Sequence, residues 1–216
     1  MRCTLAVLGL TLSATALGQV TIPAGSVPSD LALVRGKVDR FTLSAEGQPD
    51  GFILDDGTEV HVHVYLASKL VAAVHRGEPV TVRGLRASGM PFFSASSVSS
   101  DLSHQVVADN GNPGTAGPAV ASAPHEVTLE GTIARSIHRT DGAVIGAFLG
   151  TGVEVRMPDG VSADWPNLFK PGQNLAVMGQ DVQTEFGRVI RIEMLGPSAN
   201  ELSPVTPGYQ PPPRPQ

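Results

Sequence analysis

The sequence predicts an all-β protein: two tandem five-stranded barrels, each with one short helix, in the order β-β-β-α-β-β. Three observations lead there. The chain repeats itself, each copy alternates apolar and polar residues in short runs, and glycine-bearing turns separate those runs. Sliding the chain by 95 residues lays 36–84 onto 131–179 without a gap. Gly36 falls on Gly131, Arg40 on Arg135, Gly47 on Gly142, Gly51 on Gly146, Leu54 on Leu149 and Gly57 on Gly152. Glu59 falls on Glu154, Val60 on Val155, Gly77 on Gly172, Val82 on Val177 and Gly84 on Gly179. A gapless register with matched apolar positions is the signature of one supersecondary unit used twice.

In the first copy, Val34, Gly36 and Val38 alternate with Arg35, Lys37 and Asp39, which predicts a half-buried strand. "GFILDDGTEVHVHV" reads as two strands joined at Asp56-Gly57, a dipeptide suited to a tight turn. "LASKLVAAVHRG" places Leu66, Leu70, Val71 and Val74 at helical spacing, with Gly77 as the expected C-cap. "EPVTVRG" and "MPFFSASSV" supply the last two strands. In the second copy Trp165-Pro166 interrupts the helical segment, and Gly150-Thr151-Gly152 replaces Asp55-Asp56-Gly57.

This order, with the runs G-x-V, G-F-I-L-D-D-G-T-E-V and G-E-P-V-T-V-R-G, resembles the OB-fold. More narrowly, it resembles small exported bacterial OB-fold-like modules, many of unassigned function. The resemblance covers Val34–Val98 and Leu129–Leu195 and rests on turn glycines and strand valines. It implies closed barrels, which leave no free sheet edge in a chain without disulfides. It also implies a ligand face on strand three and the adjoining loops "TLSAEGQPD" and "RASGMPFF". The candidate contacts there are Arg35, Lys37, His61, His63, Tyr65, Arg83 and Arg86.

Residues 1–18 read as a signal peptide: Arg2, an apolar run from Leu5 to Leu17, then small residues at Ala16-Leu17-Gly18. The alternative is a buried N-terminal element. The run is too short to span a bilayer, and no second one follows. The expected organisation continues with an N-terminal segment (19–32), domain 1 (33–100), a flexible linker (101–126), domain 2 (127–195) and a Pro-rich disordered tail (196–216). Export to the periplasm or beyond fits the single cysteine, Cys3, which lies in the part to be removed. Without a thiol, the mature chain has neither disulfides nor cysteine chemistry.

The formal charge is −5, and domain 1 carries seven basic and seven acidic residues. Proteins that live on nucleic-acid backbones usually carry a clear positive excess, so that partner is disfavoured. Glu59, His61 and His63 alternate with Val60, Val62 and Val64, which predicts valines inside the barrel and a polar row outside. Imidazoles two residues apart lie roughly 7 Å apart along a strand, so a metal would need a further ligand from elsewhere. The second copy has Glu154, Arg156 and Pro158 at these positions, and a solvated strand face is the expected reading. No nucleophile elbow, zinc-protease helix or P-loop occurs, and "LDDGTE" reads as a turn rather than a calcium loop. The expectation is an exported, non-enzymatic binding or adaptor protein with no cofactor, its ligand a glycan or a protein of the envelope. Nucleic-acid binding and metal binding through His61 and His63 are the alternatives.

Overall fold

The computed structural model describes residues 31–86, 92–111, 123–159, 161 and 168–205. The expected signal peptide, the 87–91 loop, Trp165-Pro166 and the last part of the tail lie outside the described residues. In the first copy, strands β1 (Ala32–Leu43), β2 (Pro49–Leu54), β3 (Glu59–His61), β4 (Pro79–Arg86) and β5 (Phe92–Ser100) form a sheet. β1 pairs with β2, β2 with β3 and β4 with β5, all antiparallel. β3 then pairs parallel with β5, and β1 pairs with β4, so the ring closes as β1-β2-β3-β5-β4.

The second copy repeats this ring with β7 (His125–His138), β8 (Val144–Leu149), β9 (Glu154–Arg156), β10 (Asn174–Thr184) and β11 (Gly187–Gly196). Register is conserved as well as order. Val38 faces Leu54 in one barrel, and Ile133 faces Leu149 in the other. The protein therefore consists of two tandem OB-like barrels.

The repeated glycines are explained by close approach. A Cβ on Gly51 would overlap the Val60 carbonyl oxygen, and one on Gly146 would overlap that of Val155. Gly84 and Gly179 sit at equivalent register shifts, where a Cβ would meet the Ser94 and Arg191 carbonyls. The alternation predicted for β1 also appears. Val34, Val82, Val98 and Val107 face one another in register and are buried, forming one cross-strand row of the first core.

Four details differ from the sequence reading. Helix α1 (Ala67–Ala73) follows a 3-10 turn at Val64–Leu66 and ends at an extended Val74, not at Gly77. Gly77 serves instead in the turn before β4, with φ of +84° and its N–H on the Val38 carbonyl at 2.7 Å. β3 stops at His61, so Val62 is buried but Val64 is exposed. Part of the expected linker is strand: β6 (Val106–Ala108) adds to β5, and β7 begins at His125. Finally, the start of the expected tail is structured. β12 (Ser203–Pro204) pairs with β11, and Val205 is buried in the second core. No helix among the described residues is long and apolar enough to cross a membrane.

The tight glycine approaches predict an ordered series in urea unfolding. Gly51→Ala and Gly179→Ala, which drive a methyl into backbone, should each cost about 3 kcal/mol or more. Gly152→Ala has φ of +84° but open space around it, so it should cost only about 1–2 kcal/mol.

Candidate functional site

The two barrels meet through a pseudo-symmetric seam built by the repeated glutamates. The Leu43 N–H donates to both carboxylate oxygens of Glu154, at 3.0 and 3.2 Å. The His138 N–H donates to Glu59 Oε1 at 2.9 Å. Glu59 and Glu154 are repeat partners, and so are Leu43 and His138. Each barrel thus offers its β3-type carboxylate to the same backbone amide of the other. Ile53, Ile137 and Phe148 form an apolar cluster with Ile145, and Leu43 packs with Val182 and Val189 on the β10–β11 hairpin.

The seam overturns the expected solvated face on strand three. Glu59 is 1% exposed, and His61 is largely covered by Phe92, ring centroids 5.9 Å apart. Phe92 also stacks on His138 at 6.3 Å. His138 Nδ1 lies 3.3 Å from Glu59 Oε2. His61 Nε2 lies 3.2 Å from Oε1 without the alignment of a full hydrogen bond. His63 goes elsewhere: its Nδ1 is 2.7 Å from Asp109 Oδ2, its ring stacks on Tyr65, and the Tyr65 hydroxyl donates to Asp109. Glu59, His61 and His63 therefore do not converge. Among the described residues, no group of three or more His, Cys, Asp or Glu could hold a metal ion.

The two seam carboxyls are driven in opposite directions. Burial acts to raise Glu59, but the contacts from His138 and His61 outweigh it and hold the carboxyl at about 2. Burial pushes Glu154 well above its ordinary range, and the charge of Glu59 adds to the effect against the Leu43 N–H. Arg156, the repeat partner of His61, donates from Nε to the Leu43 carbonyl at 2.6 Å and pairs with Asp50. Burial lowers its guanidinium to about 10.

The remaining candidates occupy a different face. Residues opposite one another in an antiparallel ladder share a side of the sheet. Arg35, Thr81, Ser99 and Val106 make one outward row across β1, β4, β5 and β6. Leu33, Arg83, Ser97 and Ala108 make the next, with Lys37 one step beyond on β1. Arg86, at the end of β4, lies over Phe93 at 5.9 Å. Sequence reasoning grouped Arg35, Lys37 and Arg83 with strand three, whereas the structure sets them on β1 and β4. It missed Arg156 and His138, whose partners are supplied by the other barrel. The 95-residue register points to the seam, since Glu59/Glu154 and Arg40/Arg135 are the only identical charged residues it matches.

No family model and no curated protein matches this chain. Among solved structures, it is similar to the single-stranded DNA binding protein from Thermus aquaticus, at 14% identity over 83% of this chain and 94% of that one. The TM-score is 0.24, and the OB-like description rests on the ring order alone.

Opposite carboxyl behaviour predicts opposite pH responses. Glu59 ionises more easily in the folded state, so its contribution is present above about 4.5 and lost as pH falls toward 2. Glu59→Gln should cost about 3 kcal/mol at pH 7 and remove that acid-side loss. Glu154 favours the neutral form when folded, so its contribution is present below 4.5 and lost as pH rises through its elevated value. Glu154→Gln should flatten that decline, which urea midpoints measured from pH 2 to 8 would show.

Proposed function

We propose that this chain is an exported, non-enzymatic binding or adaptor protein of the bacterial envelope. Its partner, a glycan or a protein, meets barrel one on the outer face of β1, β4, β5 and β6. One observation carries the reading: Arg35, Lys37 and Arg83 are exposed on this face, and their side chains make no ion pair or hydrogen bond among the described residues. Leu33 and Leu85 are exposed beside them, at 44% and 61%. Exposed cations without a partner among the described residues are free to meet anionic groups, and charge of this kind governs association rate and partner choice.

The repeat sharpens the reading, because the second barrel lacks this face. Glu130 stands where Arg35 stands in the first copy, and Met178 where Arg83 stands. Glu130 is engaged by Asn174 Nδ2 at 2.7 Å and by the Ala199 N–H, while Asn174 also donates to the Pro197 carbonyl. The segment after β11 therefore binds the acid that stands in place of Arg35. The strand-three face is consumed by the seam in both copies. Phe92 and Phe93, at the start of β5, are 3% and 0% exposed, so they offer no platform on which bases could stack.

Export is tested by N-terminal sequencing of the chain secreted from a bacterial host, with Gln19 the expected first residue. Binding is tested by sedimenting the chain with bacterial envelopes. Arg35→Glu/Arg83→Glu should lower the sedimented fraction at least ten-fold with an unchanged urea midpoint. Protease or glycan-hydrolase treatment of the envelopes distinguishes the partner class. Equal sedimentation of the variant would remove this face from the function.

A further inference from the structure

The seam's pseudo-symmetry is broken at one place, and the break leaves an open site. Arg135 and Arg40 are repeat partners, and so are Gly57 and Gly152. On one side, the Arg135 guanidinium donates across the seam to the Gly57 carbonyl and fills the space there. On the other, Arg40 does not reach Gly152; its guanidinium lies over the Phe148 ring at 5.1 Å. The residue at the position of Phe148 in the first copy is Ile53, which has no ring to hold a cation. A cation resting on an aromatic face gains roughly 0.5–2 kcal/mol, enough to divert one arginine and not the other. The space that Arg40 leaves is a cleft of about 250 Å³ between the barrels, which Arg76 and Arg188 also line.

We propose that this cleft binds a small organic oxyanion, a phosphoryl or carboxyl group carried on a single flat ring. The three guanidiniums lining it are held from behind by acids that do not themselves line it. Asp39 accepts from Arg40 Nε at 3.0 Å and lies 3.8 Å from Arg76. Asp181 binds Arg188 through Nε and Nη2, at 3.0 and 2.8 Å. The Nη1 and Nη2 donors of Arg40 and the Nη1 donor of Arg188 remain without partners among the described residues. Arg40, pinned through Nε alone, keeps its Nη1/Nη2 pair for two-point recognition of an oxyanion, and Arg188 adds its Nη1 donor.

The walls and size select the rest of the ligand. Phe148 and Phe186 line the cleft beside the arginines. A dry cavity of about 150 Å³ holds benzene, so this volume accommodates one ring and its charged substituent but not a dinucleotide. Glu154 is the only acid in the lining, and its carboxyl is already engaged by the Leu43 N–H at 3.0 Å and by Arg156 Nε at 3.3 Å. The site needs residues from both barrels, so it exists only when the seam is formed.

The test is an amide NMR titration of the full chain with phenyl phosphate, benzoate, inorganic phosphate and uncharged benzamide. Phenyl phosphate and benzoate should shift the Gly152 and Gly187 amides saturably, with phosphate at least ten-fold weaker and benzamide inactive. The relative affinities of the first two assign the oxyanion. Arg40→Gln should weaken binding at least ten-fold. Arg76→Glu, at an exposed side chain whose loss spares the fold, should weaken it about five-fold. Shifts confined to other surfaces, benzamide binding as well as benzoate, phosphate binding as tightly as phenyl phosphate, or affinity unchanged in Arg76→Glu would each overturn the proposal. Arg35→Glu/Arg83→Glu should leave this titration unaltered, which separates it from the outer-face reading.

Discussion

The arrangement of the two barrels depends on a reciprocal exchange, in which a buried carboxylate from each caps a backbone amide of the other. Glu59 takes the His138 N–H, and Glu154 takes the Leu43 N–H. A carboxylate removed from water is costly unless hydrogen bonds replace its hydration, and an amide at a strand end is costly unless something accepts from it. Each group meets the other's need across the seam. Ile53, Ile137 and Phe148 then surround the polar contacts with apolar surface. Burying side chains of this size contributes roughly 1.5–3 kcal/mol each, so the apolar cluster supplies much of the adhesion while the carboxylates set its register.

A repeated contact does not stay symmetric when its neighbours diverge. On one side His61 and His138 flank the carboxylate, and Glu59 remains ionised to low pH. On the other, Arg156 lies 3.3 Å from Glu154 while donating to the Leu43 carbonyl and pairing with Asp50, and burial still pushes Glu154 up. Where the first copy has Ile53 the second has Phe148, and Arg40 lies on that ring, bound to Asp39, while Arg135 reaches a carbonyl. One ancestral plan thereby yields a closed side and an open one. The outer faces diverged as well: the first barrel exposes Arg35, Lys37 and Arg83, while the second has Glu130 in place of Arg35, bound by the segment that leads to β12.

Much of the fold was legible because its causes are local. Alternating valines, turn glycines and the 95-residue register predicted ten ring strands, and the glycines at 51, 84, 146 and 179 prove to be positions where backbone approaches too closely for a Cβ. Local signals misled where two explanations shared one residue type. Gly77 fits a helix C-cap and a positive-φ turn equally well, and it is the turn that forms. Val106 to Ala108 sit in a Gly/Pro/Ala-rich stretch, yet they become a strand because β5 offers an edge and Asp109 ties down Tyr65 and His63.

The site was less legible, for a physical reason that Glu59 and His61 illustrate. Alternation along a strand tells which side of the barrel a residue occupies, since successive side chains point to opposite faces. It does not tell what lies beyond that side. The pattern E-V-H-V-H was sufficient to place Glu59 outside its own barrel, and there it is. Only the tertiary structure puts a second barrel against that face, makes the carboxylate one of the most buried groups in the chain, and leaves Arg35, Lys37 and Arg83 facing solvent instead. Strand patterns are written within tens of residues, whereas the partners that give Glu59 and Glu154 their roles lie 79 and 111 residues away.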